Sequence, residues 1–342
     1  MKIEDIYRSI IKRSSIWNYY NKNVSISNIL DTTDCYQFIK NYIQFAEKAH
    51  NTFNAGLVYL YNSNPNRLSH IASTFFLGLW MLNLREPSFL YESIAEKLCE
   101  LGCLCNNQDE IKRHLTFVWF MATFYHDLGY KAEDTESEEE INNELQYINN
   151  SVPYFYVNNY KKYYSYRKNR EHGIYGGINF YDCLCQIRQI QCCNSSSDLI
   201  WDKSLEELYN YVAWIILAHN IWLVDRNSEN ALKYKDKELD ELVLESGKDE
   251  NGIYKEYKVK FEEYPLFVFF CIIDTIEPLK STSCLSRIEI NLIQDKIVIE
   301  SNDSEYRKKA LSLRDWLLPA IEKSNCVTIF LTYEAYKKSL QE

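Results

Sequence analysis

Only nine glycines and six prolines punctuate the 342 residues of this chain. So few turn formers disfavour a strand-rich sandwich or barrel and favour long helices. The apolar residues fall in the matching rhythm. Ile3, Ile6, Tyr7, Ile10 and Ile11 recur at the spacing of one helix face. After a turn at 62–66 (NSNPN), the segment RLSHIASTFFLGLWMLNL reads as an apolar helix that stops before Pro87. Helices are expected again over 89–105, 108–131, 173–195, 204–224 and 264–279. The two longest apolar runs, LTFVWFMATFY and PLFVFFCII, fall far short of the about 20 residues a membrane span needs, so both are buried helices.

The last part of the chain changes period. In RIEINLIQDKIVIES the apolar positions alternate at Ile288, Ile290 and Leu292, then at Ile297 and Ile299, which describes a hairpin. A helix over about 303–318 and a strand at CVTIFLTY follow. An earlier hairpin is expected around Asn251–Gly252. The fold class is therefore mainly α, a helical bundle with a small α+β C-terminal region. We divide it into N-terminal helices over 1–60 that pack on the core, a helical domain over 61–282 with an insertion at 133–170, and an α+β tail over 283–342.

Charge and cysteine content narrow the setting. The net charge of −10 speaks for a small substrate over a polymer, since nucleic-acid binding needs cations that displace counterions from phosphates. Eleven cysteines without paired zinc-type spacing, behind an N-terminus lacking the apolar core of a signal peptide, read as free thiols in a reduced cytoplasmic chain. Two local runs stand out. EDTESEEE (133–140) reads as a solvated helix start, with Thr135 and Glu138 spaced as a capping box. VPYFYVNNYKKYYSYRKNR (152–170) sets Lys161, Lys162, Arg167, Lys168 and Arg170 among six tyrosines and no acid. Such a basic-aromatic stretch can cradle a phosphate and stack a base, and Lys161, Lys162, Arg167 and Arg170 are the candidate substrate-binding residues.

The chain has only six histidines, and four of them lie in or beside apolar helices: RLSHIAS, FYHDLGY, REHGIYGG and ILAHNIW. Asp127 adjoins His126, and Asp274 interrupts the otherwise apolar FCIIDTIEP. A buried carboxylate is costly unless it is paired or bound to a metal. Imidazole and carboxylate from several helices suit a divalent transition metal. Adjacent residues on a helix project about 100° apart, so His126 and Asp127 can reach one cavity from one turn. Gly129 permits a close approach or a helix end. His50 and His114 have no place in this pattern and read as structural.

The ordered array His70, His126–Asp127, His172, His219, Asp274, with intervals of roughly 45 to 57 residues, resembles the HD-domain superfamily of metal-dependent phosphohydrolases over about residues 60–280. Arg67 three positions before His70 adds to the likeness. The resemblance implies a helical bundle around one or two divalent metals, Mn, Fe, Co, Ni or Zn, with Mg also admissible. It implies that His70, His126, Asp127 and Asp274 hold one ion and that Asp127 bridges to a second held by His172 and His219. An activated water would then attack phosphorus in a nucleotide or another small phosphoester. The subgroup that cleaves cyclic dinucleotides carries a lysine where Tyr130 stands, together with a GYP element that is absent here, so that specificity is not implied. Lys131, Arg67, Arg170 and Lys280 are the candidate cations for acid or phosphate-binding roles, with Asp127, Lys131 and Arg67 the catalytic candidates. The same array also occurs in di-iron oxygenases of that superfamily, which are one alternative; a single-strand nuclease and a non-catalytic nucleotide sensor are the others, the complete ligand set arguing against the last.

Overall fold

The computed structural model describes residues 1–12, 26–43, 47–82, 89–100, 108–135, 172–193, 203–220, 261–280 and 285–341. Helices dominate. In order they are α1 (Ile3–Ile11), α2 (Thr32–Tyr42), α3 (Glu47–Ser63), α4 (Asn66–Leu82), α5 (Phe89–Glu100), α6 (Gln108–Tyr125), α7 (Tyr130–Thr135), α8 (His172–Cys193), α9 (Lys203–Ala218) and α10 (Pro265–Ile276). None of the described helices is long and apolar enough to cross a membrane.

Residue pattern explains where each helix lies. In α1 the positions Ile3, Ile6, Tyr7 and Ile10 share one face, and all four are buried. Asp31 caps α2 by accepting from the amides of Thr33 and Asp34. α4 is different, because every residue from Leu68 to Leu82 is buried. A helix buried on all sides belongs at the centre, and α1, α2, α3, α6 and α10 all pack on it. α10 is likewise buried along its whole length. The α4–α6 crossing is tight at Gly78, where an added Cβ would run into the Trp119 ring. The Trp119 indole N–H donates to the Phe75 carbonyl at 2.9 Å. Phe75, Phe120 and Phe124 pack edge-on or tilted at centroid distances of 4.5–6.3 Å and fix the rotation of α6 against α4.

α8 and α9 form an antiparallel pair brought close by glycine. A Cβ at Gly177 would meet the Ala213 carbonyl oxygen at 2.5 Å, and one at Gly173 would meet the Ile216 and Leu217 carbonyl oxygens at 3.1 Å. That proximity carries His172, at the start of α8, toward His219, just past the end of α9.

The C-terminal unit is a four-stranded antiparallel sheet in the order β1-β2-β4-β3, with strands β1 (Ile288–Ile293), β2 (Lys296–Ser301), β3 (Ala320–Lys323) and β4 (Cys326–Phe330). The expected β1–β2 hairpin forms with Ile290 opposite Ile299. Its inward face is Ile288, Ile290, Ile297 and Ile299, all fully buried. Three details depart from the sequence reading. The helix expected over 303–318 breaks into α11 (Ser304–Leu311) and α12 (Leu313–Trp316), and β3 and a final helix α13 (Tyr333–Ser339) were not anticipated. β3 is short and half exposed, so its alternation is weak, and it is fixed by pairing with β4. The hairpin expected near Asn251–Gly252 lies outside the described residues, as does the basic-aromatic stretch 152–170.

Among the described residues, the chain start and α11 both tie the unit to the helical body. The Ile290 amide donates to the Met1 carbonyl, which joins the chain start to β1. The phenol of Tyr306 on α11, fully buried, donates to the Ile276 carbonyl at 2.5 Å.

Candidate metal centre

Two helices stop where the site begins. α6 ends at Tyr125, and residues 126–129 form the turn after it; α9 ends at Ala218, and His219 follows. The carbonyls of a last helical turn lack amide partners. Nδ1 of His126 donates to the Thr123 carbonyl at 2.7 Å, and Nδ1 of His219 donates in the same way to the Ile216 carbonyl. A carbonyl can only accept, so both rings carry a proton on Nδ1 and turn Nε2 toward the site. His126 and Asp127 thus share a turn beyond the helix and not a helical turn, as the sequence had suggested. Gly129 allows this turn to lie against α8, because an added Cβ would overlap the His172 carbonyl oxygen.

The other two imidazoles are oriented by carboxylates. Nδ1 of His70 lies 2.7 Å from Oε2 of Glu277. Glu277 is fully buried at the C-terminus of α10. Its Oε1 accepts from Ser73 Oγ at 2.5 Å and from the Leu279 amide at 2.6 Å, and its Oε2 also accepts from the Lys280 amide at 3.2 Å. Ser73 is hydrogen-bonded in turn to the Tyr7 phenol, so α1 supports the site through Tyr7, Ser73 and Glu277. Nδ1 of His172 lies 2.7 Å from Oε2 of Glu133, which also accepts from the His172 amide at 2.7 Å. All four histidines therefore have Nδ1 engaged and Nε2 turned inward, the arrangement that outer partners impose on metal ligands.

The inward atoms converge. Nε2 of His70 is 3.3 Å from Nε2 of His126 and 2.9 Å from Oδ1 of Asp274. Oδ1 of Asp127 is 3.3 Å from Nε2 of His126 and 3.6 Å from Nε2 of His172. Two groups emerge that can hold a metal ion, His70–His126–Asp127 and Asp127–His172–His219, with ligand atoms within 4.8 Å of one another in each. Asp127 belongs to both. Asp274 joins the first through His70 and through His126 at 3.5 Å. Oδ1 of Asp127 is buried without a hydrogen-bond partner among the described residues. Such an orphaned carboxylate oxygen, facing inward imidazole lone pairs, is what a divalent ion satisfies.

Electrostatics agree with this. Burial alone would push the Asp127 carboxyl up, but the fields of His126, Arg67 and His70 outweigh it and hold the group well below the usual range. Burial likewise opposes ionisation of Asp274, and Lys280 with His126 and His70 overcomes it. Burial lowers His172 and, more strongly, His219, where His126 and His172 add to the effect. Both acids are thus anionic and both of these rings neutral at neutral pH, the protonation states that ligands need.

The rim of the site carries the polar groups that keep some exposure. Arg67 reaches Oδ2 of Asp127 at 3.4 Å with its side chain 27% exposed, and Lys280 reaches Oδ1 of Asp274 at 2.6 Å with 20% exposed. The Tyr130 ring stacks on His172 at 3.7 Å between centroids, and the Arg67 guanidinium sits over it at 4.6 Å. The Asn220 side-chain amide donates to Nε2 of His172 at 2.7 Å, and so occupies the lone pair a metal would take.

Of the residues singled out from sequence, the six metal-ligand candidates and Arg67 come together here. Lys131 is exposed on α7, and its neighbour Tyr130 is the residue that turns inward. Lys161, Lys162, Arg167 and Arg170 lie outside the described residues, and so do the side chains of His50 and His114. Thr135 closes α7, and its hydroxyl donates to the Lys131 carbonyl; the helix start expected from Thr135 and Glu138 lies outside the described residues. Sequence reasoning missed Glu277, Glu133 and Asn220. Glu277 had a signal, since it follows Asp274 by three in an apolar run. Glu133 was hidden in an acidic run that read as solvated. Cys35 and Cys271 are buried free thiols.

No family model, curated protein or solved structure matches this chain.

Proposed function

We propose that the protein is a metal-dependent phosphohydrolase of the HD-domain type, acting on a nucleotide or another small phosphoester. The observation that carries the reading is the pair of three-ligand groups sharing Asp127, whose buried Oδ1 has no hydrogen-bond partner among the described residues. His70, His126, Asp127 and Asp274 are the ligands for one divalent ion, and Asp127, His172 and His219 those for a second. Bound there, such ions supply Lewis acidity toward phosphoryl oxygens and lower the pKa of a water.

The chain's own residues do the rest. Glu277, Glu133 and the Thr123 and Ile216 carbonyls engage Nδ1 of the four rings and turn Nε2 toward the site. Arg67 and Lys280 stand at the partly exposed rim, where an anionic substrate meets the site first. The bulk of α4, α6 and α10 behind the ligands excludes water and strengthens every charge interaction within. Metals would leave the site with an excess of positive charge that a phosphoester's oxygens balance.

The test is metal content by mass spectrometry on wild type and Asp127→Ala, with phosphodiester and nucleotide hydrolysis assayed on the same samples. We expect transition metal in the wild type, and loss of both metal and hydrolysis in the variant. Iron without hydrolysis, but with oxygen consumption, would favour the oxygenase reading. No metal under any loading condition would overturn the proposal.

A further inference from the structure

The helical body supplies every ligand of the metal centre, yet the C-terminal unit also reaches it. Tyr306 on α11 is fully buried and bonds to the Ile276 carbonyl, two residues after Asp274 and just before Glu277. Lys309 lies one helical turn after Tyr306 and so projects from the same face of α11. It is half-buried, and its ammonium makes no ion pair among the described residues. Its neighbours in the field are Lys280, Glu277, Asp274 and Arg67, all members of the site or its rim. Its near neighbour Lys308 differs on every count: it is 71% exposed and paired with Glu305 at 2.8 Å.

A half-buried, unpaired ammonium beside a second lysine is costly to hold. Burial first, and then Lys280, push the Lys309 ammonium down to about 8, so it stays mostly charged at neutral pH. The local charges make sense with an anion. Arg67, Lys280 and Lys309 stand with Asp127, Asp274, Glu277 and Glu133, three positive groups against four negative. Two divalent ions added to the centre turn this into an excess of positive charge. A ligand with several negative charges restores the balance, and the three cations offer it positive partners.

Resting on the reading above, we propose that Lys309 of the C-terminal unit, with Lys280 and Arg67, forms a subsite for a non-reacting phosphate of the substrate. The substrate class is then a phosphoester with a second phosphate, such as a nucleoside polyphosphate, and the α+β unit is part of substrate recognition.

The experiment uses the full-length, metal-loaded protein and inorganic tripolyphosphate as probe, with binding followed by calorimetry and metal content measured in parallel. A charged hydrogen bond at a half-buried site predicts a loss of affinity of about tenfold or more for Lys309→Met. Lys309→Arg should keep most of the affinity, Lys308→Ala all of it, and metal content should not change in any of the three. Equal affinity of wild type and Lys309→Met overturns the subsite and leaves the metal centre standing. So does a wild type that takes up metal and does not bind tripolyphosphate. A wild type that takes up no metal overturns the phosphohydrolase reading, and with it the subsite.

Discussion

Replacing Glu277 with glutamine tests whether the buried carboxylate tunes the metal centre or merely fills space. The two side chains are nearly isosteric, so packing is kept. The hydrogen bonds are not. Oε1 accepts from Ser73 and from the Leu279 amide, and Oε2 accepts from His70 and from the Lys280 amide. An amide nitrogen on the Oε2 side would face two donors, the His70 ring and the Lys280 amide. On the Oε1 side it would face only one obligate donor, the Leu279 amide, because the Ser73 hydroxyl can turn and accept. Glutamine should therefore put its nitrogen toward Ser73, and leave the Leu279 amide unsatisfied at a cost of about 1–3 kcal/mol. His70 keeps an acceptor, but a neutral one, and its charge-assisted bond falls to about half strength. Loss of such an outer partner lowers metal affinity by about 10–100-fold, and the retained neutral bond places Glu277→Gln near the lower end. Affinity is measured by competition with a chelator, and stability by thermal melting of the metal-free protein. If stability falls as expected while metal affinity stays within about twofold, Glu277 only supports the fold and this account of His70 is wrong.

Two further outcomes follow from the geometry. Gly129→Ala should cost about 1–3 kcal/mol and weaken metal binding as well, because the new methyl group pushes on the His172 carbonyl oxygen and moves a ligand; unchanged melting would show that the turn and α8 do not touch as described. Acid should destabilise the metal-free protein in the ordinary histidine range. His172 and His219 have folded pKa values below their unfolded ones, so the unfolded chain binds more protons. Stability is then fully present above about pH 6.5 and is lost as pH falls toward the folded values. Melting temperatures of wild type and of a variant with His219 replaced by glutamine, taken from about pH 7.5 to about pH 5.5, check this; equal slopes would refute the assignment to His219.

Much of the fold is legible from periodicity. The face Ile3–Ile6–Tyr7–Ile10 predicted α1, and the apolar runs in α6 and α10 marked both as buried helices, because burial is set by local pattern. The break at Ser312 and the short strand β3 were not legible, since β3 exists by pairing with β4 and its own four residues carry little pattern. In the site, the sequence marks His70, His126, Asp127, His172, His219 and Asp274 because ionisable groups inside apolar segments are conspicuous. It could not distinguish Lys131 from Tyr130, since which side chain of α7 turns inward depends on how the turn at 126–129 leaves α6.

What the sequence determined by itself is the helical class, the hairpin and the set of polar groups that had to be satisfied in a core. Those are consequences of composition and period, which act over a few residues. Only the tertiary structure decided that Glu277 and Glu133 aim the imidazoles, that Tyr7 supports Glu277 through Ser73, and that Lys309 approaches from the other end of the chain. These contacts join residues far apart in sequence, as in the Tyr7–Ser73 and His70–Glu277 bonds. Their formation depends on the packing of whole helices, and no local pattern encodes it.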